Sequence, residues 1–494
     1  MCGIAGVFKK QSPGEIALML GKIKHRGPDG QGIKNLSNGT LGHTRLAILD
    51  IKGGHQPMGI EKTWITFNGE IYNYRELADE YLADVSLKTH SDTEVILQLY
   101  RKLGPGCVDL LHGMFAFAII QGDELFMARD SMGIKPLYCG ERDGSFYFAS
   151  EIKALALVTS EIREFPAGHW YHSQKGWHAF YNMAPSFHEI IDEQQAMDIM
   201  RTILADAVKM RLIADVPVGI SLSGGLDSSI VAMLANRGTK HLHSFAVGME
   251  NSEDLAAARK MADILGNRHH ERVFTETEML EALPKVIYHL ESFDPALVRS
   301  AIPNFFIAEM ASDYVKVILT GEGADEIYAG YDYLRSYDDP EMLQKEMVNI
   351  TTSLHNTNLQ RADRMAMAFG LEARVPFLDT NSVAFGLGLP PQWKAHRDRP
   401  AKYLLRQAFV ADLPQEIINR PKQKFSKGAG SSDIFRQIAE QEIDDQELHS
   451  ERARLLFRWN YRLQNKEALY YYRILHQNYR DKWIFPTMGH SRSL

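Results

Sequence analysis

Cysteine is scarce in this sequence, whose 494 residues include only Cys2, Cys107 and Cys139. Three widely separated cysteines form no disulfide framework and no paired metal-ligand motif, and such scarcity is typical of a reducing compartment. Long apolar runs are also missing, since none approaches the roughly 18 residues that a membrane-spanning helix needs. The N-terminus has no basic segment followed by an apolar one, so no secretory signal is predicted. We therefore expect a soluble, cytoplasmic protein without a membrane partner.

A strong charge of one sign is absent as well. The formal net charge of −7 is small for this length, which argues against nucleic-acid binding driven by phosphate charge. What the sequence does have is a large hydrophobic content of 45%, enough for sizeable cores. A chain this long predicts two or three domains. Residues 182–192 carry no clear hydrophobic period, so we place the boundary there and predict domains 1–185 and 193–494.

The stretch 223–229, Ser-Gly-Gly-Leu-Asp-Ser-Ser, organises the second half of the chain. A β-branched apolar run precedes it and a helix-compatible apolar run follows, which predicts a strand, a Gly-Gly turn and a helix N-terminus. Glycines let the backbone approach a ligand closely, and free N–H groups with serine hydroxyls form an anion cradle. Asp227 beside bound phosphate requires a bridging divalent cation, so it predicts Mg²⁺. The alternative is an ordinary Ser/Gly loop with an N-capping aspartate.

This loop lacks the Gly-Lys-Ser/Thr end of the common P-loop. It resembles instead the pyrophosphate loop of the ATP pyrophosphatases, which adenylate a substrate and release pyrophosphate. Strands and helices alternate around it, which predicts an α/β doubly wound parallel sheet. The predicted strands are 216–222, 242–247, 270–274 and 315–319, and the predicted helices are 253–265, 276–290 and 304–312. Ligands of such sheets bind beyond the carboxyl ends of the strands, so we expect the loops 223–229 and 320–326 to face one crevice.

Cys2 is the candidate nucleophile of the first half of the chain. If Met1 is removed, Cys2 carries a thiol and an α-amine on the same carbon. An α-amine has a reference pKa of about 8, so its neutral fraction can act as the base for its own side chain. The alternative is a buried structural cysteine, which is the usual fate of a lone cysteine.

Further segments follow in a specific order. They are a turn-rich loop at 25–30, a cation at the start of an apolar strand at 42–48, a strand, turn and helix start at 67–73, a capping box at 91–94 and a β-hairpin at 114–128. Together with Cys2 they resemble the glutaminase domain of the N-terminal-nucleophile glutamine amidotransferases. The resemblance implies an α+β fold with two antiparallel sheets between helical layers (αββα).

The resemblance also implies a role for each matching residue. Cys2 would form a glutamyl thioester and release ammonia. The glutamine zwitterion needs one cation for its carboxylate and one or two carboxylates for its ammonium, and these partners would be Arg45, Glu70 and Asp92. Asn68 and the Gly69 N–H would form the oxyanion hole. Backbone groups that complete the pocket would come from Leu46, Ala47, Ile48 and Leu49.

The remaining residues are rich in helical patterns and carry charged stretches at 361–364, 370–379 and 420–426. With the two loops, they resemble the synthetase half of the glutamine-hydrolysing asparagine synthetases, over nearly the whole chain. The implied ATP site comprises the pyrophosphate loop, residues that flank adenine, backbone that holds the nucleotide and a phosphate-contacting lysine: Ser223, Gly224, Gly225, Leu226, Asp227 and Ser228; Leu222 and Val247; Thr320 and Gly321; and Lys422. Asp227 and Asp325 would bind Mg²⁺ and pyrophosphate. Glu322 would support adenylate formation and accept a proton from attacking ammonia.

The implied activity is that of an ATP-dependent ligase of asparagine biosynthesis. It would convert aspartate to asparagine through a β-aspartyl-adenylate, with glutamine as the nitrogen donor and AMP, pyrophosphate and glutamate as the other products. Pairing the two half-reactions also predicts an apolar tunnel for ammonia between the domains. Relatives of this kind are often dimers, so the resemblance implies a homodimer, although no stretch of the sequence identifies an interface.

One stretch departs from the family pattern and keeps alternatives open. The family's aspartate-binding segment has threonines before an Ile-Arg and an Ala-Ser-Thr-Pro after it, whereas residues 293–303 keep Arg299 but only Ser300 of the hydroxyls. A pocket without those hydroxyls could accept another acid. The second reading is therefore a related amidotransferase that amidates a peptide, sugar acid or natural-product precursor. A third is a non-catalytic glutamine- or ATP-sensing protein, which the presence of all the catalytic residue types disfavours.

Overall fold

The computed structural model describes residues 2–183, 192–239, 242–421, 429 and 434–489. The strands are β1 Gly3–Phe8, β2 Gly30–Leu36, β3 Gly39–Arg45, β4 Met58–Ile60, β5 Thr63–Ile71, β6 Gly113–Gln121, β7 Glu124–Arg129, β8 Tyr138–Arg142, β9 Ser145–Ala149, β10 Arg163–Glu164, β11 His169–His172, β12 Gly176–Ala179, β13 Val218–Ser221, β14 His243–Gly248, β15 Arg268–Val273, β16 Val317–Leu319 and β17 Glu372–Arg374. The helices of the first half are α1 Pro13–Lys22, α2 Tyr74–Tyr81, α3 Asp92–Leu103 and α4 Ile152–Leu155.

The helices of the second half are more numerous. They are α5 Glu193–Met210, α6 Leu226–Gly238, α7 Glu253–Leu265, α8 Glu276–Leu290, α9 Pro295–Ala311, α10 Ala324–Ile327, α11 Pro340–Thr352, α12 Asn358–Met367, α13 Thr380–Gly388, α14 Pro391–Lys394, α15 Tyr403–Ala408, α16 Gln415–Ile418, α17 Ile434–Glu442, α18 Asp445–Trp459, α19 Lys466–His476 and α20 Asp481–Ile484. From β17 onward the described chain is helical, as predicted.

Two antiparallel sheets form the first half. One has the strand order β10-β8-β9-β1-β3-β2 and the other has the order β12-β11-β7-β6-β5-β4. Their inner faces pack together through a cluster that includes Ile4 and Leu41 of one sheet and Ala118 and Met127 of the other. Helices α1 and α4 contact the first sheet, and α3 contacts the second. The layering is therefore αββα, which confirms the predicted fold of this half.

A parallel sheet forms the centre of the second half, with the strand order β15-β14-β13-β16-β17. All four of its strand pairs are parallel. The strand order reverses at β13. Strands β14 and β15 extend the sheet on one side of β13, and β16 and β17 extend it on the other side. A site is expected outside the carboxyl ends of the strands at such a point. The loops after β13 and β16 both start there, as the alternation of strands and helices predicted.

The two halves share apolar cores, and buried polar contacts such as the Arg26–Asp363 pair also join them. One buried cluster contains Leu46 and Met114 of the first half together with Leu222 and Phe377 of the second. Another joins residues of β1 and α4 to helices α8 and α9. The predicted domain boundary falls largely on residues 184–191, which lie outside the described residues.

The strand, turn and helix start predicted at 67–73 are confirmed, because β5 runs through Asn68 and Gly69 to Ile71, a turn follows at 72–73 and α2 starts at Tyr74. Three other local predictions need correction. Arg45 ends the buried strand β3 instead of starting an apolar strand. Ser91 caps α3 by accepting a hydrogen bond from the Thr93 N–H, but no reciprocal capping box forms, because Glu94 accepts instead from the backbone of residues 88 and 89.

The largest correction concerns α9. The prediction starts this helix at residue 304. The helix in fact begins at Pro295, where a proline without an N–H is tolerated in the first turn, and the Asp294 side chain caps it. Pro303 lies inside the helix, whose residues are buried nearly all round. The stretch 293–303, which differs from the family's aspartate-binding pattern, is therefore mostly helical.

Candidate active sites

Cys2 precedes β1 and lies between the two sheets of the first half. Its side chain is buried, with 8% of the residue exposed. Its nitrogen lies 3.0 Å from Oδ1 of Asn68, and its Sγ lies 3.8 Å from the Leu46 carbonyl oxygen. Burial raises the pKa of the Cys2 thiol above its ordinary value. A thiol in this state needs a local base before it can attack a carbonyl.

Asn68 and Gly69 lie on β5 next to Cys2. The Asn68 Nδ2 group is buried and has no hydrogen-bond partner within the described part of the chain. An unsatisfied buried donor is costly unless a ligand uses it. Gly69 has φ of +151°, and a Cβ there would lie 2.0 Å from the Met114 carbonyl oxygen. Only glycine fits this position, so the strand keeps its path beside the nucleophile.

Other glutamine-pocket candidates lie at the end of β3 and in the segment that follows it. Arg45 donates to the carbonyl oxygens of Asp50 at 2.7 Å and Ile51 at 2.9 Å, which fixes its guanidinium at the end of β3. The adjacent backbone is held because the Ala47 N–H donates to Asp29 at 2.7 Å. Leu46, Ala47 and Ile48 are buried, and Leu49 is half-buried.

Glu70 and Asp92 are buried carboxylates in the same region. Burial, reinforced by Glu372, raises the pKa of Glu70 well above its ordinary value. Burial raises the pKa of Asp92 to about 7 against its usual 3.8, although the Ile71 N–H donates to it at 3.0 Å. Both carboxylates thus lack a cation that would balance their charge fully, and an α-ammonium group would supply one.

The second half of the chain contributes a cation to this pocket that the sequence did not predict. Arg374 on β17 reaches Glu70, with Nη2 3.5 Å from Oε1. Arg374 also binds Glu372 at 2.6 Å, and although burial opposes ionisation, its guanidinium holds the pKa of Glu372 down to about 2. The stretch 370–379 stood out in the sequence only as charged, because nothing local signals a contact with residue 70.

The pyrophosphate-loop candidate has the predicted strand-loop-helix form. The hydroxyls of Ser223 and Ser228 lie 3.1 Å apart, and Gly225 N-caps α6. Gly224 has φ of +66°, and a Cβ there would lie 2.4 Å from the Ala257 backbone, so the loop packs directly on α7. Arg420 supports the loop from outside by donating to the Ser223 carbonyl oxygen at 3.0 Å.

The two loops meet at the sheet edge as expected. A Cβ on Gly321 would lie 2.9 Å from the Cβ of Asp227. Lys402, at the start of α15, joins their carboxylates, because its Nζ lies 2.5 Å from Asp227 and 2.5 Å from Asp325. No local sequence pattern marks this lysine, which follows Asp227 by 175 positions.

The donor set at this edge fits Mg²⁺. Two carboxylates converge on one cationic group, and Oδ1 of Asp227 is shielded from solvent without a hydrogen-bond partner among the described residues. Mg²⁺ prefers one or two protein carboxylates completed by water and phosphate oxygens. Across the described ranges no group of three or more His, Cys, Asp or Glu side chains could hold a metal alone.

Glu322 lies in the loop between β16 and α10. Arg361 on α12 forms a short ion pair with it and also donates to the Ser300 hydroxyl at 2.9 Å. Arg299, predicted to bind the substrate carboxylate, lies elsewhere on α9 and contacts Glu467, with Nε 3.5 Å from Oε1. Arg361 is therefore the guanidinium that the structure places against Glu322, and the sequence indicated it only as part of a charged stretch.

The remaining nucleotide candidates line the strand ends. Leu222 follows β13 and its N–H donates to the Phe245 carbonyl oxygen at 2.9 Å. Val247 is buried on β14. The Thr320 N–H donates to the Arg374 carbonyl oxygen at 2.9 Å. Leu226 is buried in the first turn of α6. Lys422 lies outside the described residues.

Two packed antiparallel sheets that begin beside Cys2, joined to a parallel sheet with a Ser- and Gly-rich loop where its strand order reverses, are the arrangement of a class of proteins: a glutamine amidotransferase fused to an ATP-dependent synthetase. Comparison with known proteins agrees. Residues 1–164 match the family model described as glutamine amidotransferase domain. Residues 200–341 and 336–482 match the model described as asparagine synthase, a domain type whose presence implies the use of ATP.

Relatives narrow the class further. The chain is 39% identical to asparagine synthetase B [glutamine-hydrolyzing] of Escherichia coli, over 96% of this chain and 90% of that protein. It is 40% identical to a probable asparagine synthetase [glutamine-hydrolyzing] of Schizosaccharomyces pombe, over 91% and 88%. It is 38% identical to asparagine synthetase [glutamine-hydrolyzing] 3 of Arabidopsis thaliana, over 98% and 88%. The chain belongs to the glutamine-hydrolysing asparagine synthetase family, which confirms the resemblance.

A search of the described helices found none that is both long and apolar enough to cross a membrane.

Proposed function

We propose that the chain makes asparagine from aspartate through a β-aspartyl-adenylate, with ammonia from glutamine, and releases AMP, pyrophosphate and glutamate. The observation that carries the proposal is that one chain holds the residues of both half-reactions. Cys2 lies beside Asn68, and Glu322 lies in the loop that meets Asp227. A carboxylate needs activation to form an amide at neutral pH, and ATP supplies a leaving group for it.

In the glutaminase half, we propose that the α-amine of Cys2, exposed by removal of Met1, takes the thiol proton. The thiolate attacks the glutamine amide carbon, the proton passes to the departing ammonia, and water then hydrolyses the glutamyl thioester. The Nδ2 group of Asn68 and the Gly69 N–H stabilise the oxyanion. Arg45 binds the glutamine carboxylate, and Glu70 and Asp92 bind its ammonium.

In the synthetase half, residues 223–228, Leu222, Val247, Thr320 and Gly321 are proposed to hold ATP, together with Lys422. Asp227 and Asp325 would hold Mg²⁺, which when bound neutralises charge on the pyrophosphate. Lys402 already contacts both carboxylates and adds a protein cation to the same place. Glu322, oriented by Arg361, accepts a proton as ammonia attacks the adenylate.

Ammonia must travel between the halves without being protonated by bulk water. The shared apolar cluster begins at Leu46, whose carbonyl oxygen is next to the Cys2 thiol, and extends to Leu222, which precedes the pyrophosphate loop. Met114 and Val375 belong to the same cluster. We propose that this cluster lines the route. Free exchange of added ammonia into the product during glutamine turnover would count against it.

A second candidate function is amidation of a different carboxylate. Two observations favour it: the hydroxyls around Arg299 are mostly absent from the sequence, and Arg299 pairs with Glu467. The pocket then has Arg361 and Ser300 near Glu322 as its polar groups. Such a pocket could hold aspartate by other contacts or accept a peptide, sugar acid or natural-product precursor.

The organisation of the protein is also a proposal. We place a glutaminase unit at residues 1–185 and a synthetase unit at residues 193–494. We further propose a cytoplasmic homodimer that acts on small molecules.

The test is release of AMP and pyrophosphate with glutamine, Mg-ATP and a panel of carboxylates. Aspartate-dependent AMP formation, matched mole for mole by asparagine, is the expected result. AMP formation with another acid but not aspartate would favour the second candidate. Glutamine hydrolysis without ATP cleavage for any acid would contradict both.

A further inference from the structure

Helix α12 touches both candidate sites. Arg361 on this helix binds Glu322 and Ser300 in the synthetase site. Asp363, two residues further along the helix, binds Arg26 of the first half. A helix moves as a rigid unit over such a short interval, so a displacement of Arg361 displaces Asp363 as well.

Arg26 connects Asp363 to the nucleophile. Its Nη1 and Nη2 donate to the two oxygens of Asp363 at 2.8 and 3.1 Å, which forms a bidentate pair. Its Nε donates to the carbonyl oxygen of Cys2 at 3.0 Å. Arg26 is fully buried and Asp363 is 3% exposed, so solvent cannot replace either partner. Glu151 accepts a further hydrogen bond from Nη1 of Arg26 at 2.7 Å.

A second contact runs from the same helix to β1, the strand that directly follows Cys2. Arg364 donates to the Ser150 carbonyl oxygen at 3.1 Å, and the Ser150 hydroxyl accepts from the Ile4 N–H of β1 at 2.9 Å. Both contacts are buried. The position of the first strand is therefore set by groups on α12 as well as by its own sheet.

We propose that Asp363 is a positioning residue for glutamine hydrolysis, and that α12 couples occupation of the synthetase site to the placement of Cys2. Binding of the acid and the nucleotide next to Glu322 changes the partner of Arg361. The resulting shift of α12 passes through Asp363 to Arg26 and moves the Cys2 carbonyl relative to Asn68. Glutamine is then hydrolysed fastest when an adenylate is ready to consume ammonia. This inference rests on the proposed function.

The test is the efficiency of glutamine hydrolysis, as kcat/KM, measured in the full-length protein without and with Mg-ATP plus aspartate. The ratio of the two values reports the coupling directly. We expect a ratio of at least about fivefold for the wild type, the lower end of typical allosteric coupling. Asp363→Asn keeps the shape of the side chain but removes its charge, which breaks the bidentate ion pair with Arg26. This variant should bring the ratio to about one. Arg26→Lys keeps the charge but loses the bidentate geometry, and it should do the same.

Asp379→Asn is the matched control. Asp379 is also a buried aspartate of the second half that pairs across to the first half, with His112 at 2.7 Å, and it binds Arg211 at 2.9 Å. It touches neither Cys2 nor Arg26 in the described contacts. A general weakening of the contact between the halves would affect both variants, whereas the proposed coupling predicts that Asp379→Asn keeps the wild-type ratio.

Ammonia-dependent synthesis by Asp363→Asn, expected within about twofold of wild type, shows that the variant folds. The inference is overturned if Asp363→Asn and Arg26→Lys keep the wild-type ratio, if Asp379→Asn loses it equally, or if the wild-type ratio is one. In each of these cases glutamine hydrolysis and synthesis persist and the proposed function stands. Failure of the wild type to hydrolyse glutamine at all would instead contradict the proposed function.

Discussion

Asp92 illustrates how a residue proposed to bind substrate can lower the stability of the fold. The carboxylate is buried at the start of α3, and burial raises its pKa from 3.8 to about 7. A pKa of about 7 in the folded state means that the native protein resists ionising a group that ionises freely when unfolded. The unfolded chain therefore binds fewer protons between pH 4 and 7, and stability falls as the pH rises through this window.

The shift sets the size of the effect. A difference of about three pKa units corresponds to about 4 kcal/mol at 1.36 kcal/mol per unit. We expect Asp92→Asn to be more stable than wild type at pH 8 by up to about 4 kcal/mol, because the amide carries no charge to bury. The advantage should shrink below pH 7 and be small at pH 4, where the folded-state side chain is protonated and the unfolded one is about half protonated.

The same substitution should weaken glutamine binding, since a neutral amide attracts the α-ammonium less. A rise of about tenfold in the KM for glutamine corresponds to about 1.4 kcal/mol. Thermal unfolding at pH 4, 6 and 8 measures the first effect and glutaminase kinetics at pH 8 measures the second. Glu94→Gln is a matched control, because Glu94 is a buried carboxylate of the same helix turn that accepts backbone N–H groups from Lys88 and Thr89, and its loss should lower stability.

Two results would refute this reasoning. One is an Asp92→Asn variant that is no more stable than wild type at pH 8. The other is a gain in stability that persists unchanged at pH 4, which would show that ionisation is not its cause.

Three further predictions address the two sites. Cys2→Ala should abolish glutamine-dependent synthesis and leave ammonia-dependent synthesis, as measured by asparagine formation; equal loss of both would contradict the division of labour. Glu322→Gln should stop synthesis while glutamate release from glutamine continues, and surviving synthesis would show that Glu322 is not the proton acceptor. Lys402→Met removes the cation between Asp227 and Asp325, so the KM for Mg-ATP in AMP formation should rise at least about tenfold, or 1.4 kcal/mol. An unchanged KM would place Lys402 outside the ATP site, and unchanged glutaminase kinetics provide the control.

Local chemistry explains which elements the sequence could predict. Helices α7 and α8 have the predicted bounds because their caps are visible in the sequence: Ser252 caps α7, and Thr275 forms a full capping box on α8. The strand, loop and helix around residues 223–229 were also predicted correctly. Adjacent glycines indicate a tight turn, and apolar runs on both sides of it indicate the strand and the helix. The start of α9 was predicted wrongly. Two prolines lie within this helix, at 295 and 303, and proline usually interrupts a helix interior.

Long-range contacts explain what the sequence could not predict. Arg374 reaches Glu70, and Lys402 reaches Asp227 across 175 positions of sequence, and no local pattern marks either residue. The short ion pair between Arg361 and Glu322 also depends on how α12 packs beside the loop after β16. The roles of Cys2, Asn68, Arg45 and Asp325 stay predictions.

The central claim is that both half-reactions occur on this chain and share their nitrogen. The most direct measurement supplies amide-¹⁵N glutamine, aspartate and Mg-ATP together with dilute unlabelled ammonia, and follows AMP and the isotope content of the product amide. We expect one asparagine with a ¹⁵N-labelled amide for each AMP released. Product amide that carries the unlabelled nitrogen, or AMP without asparagine, would contradict it.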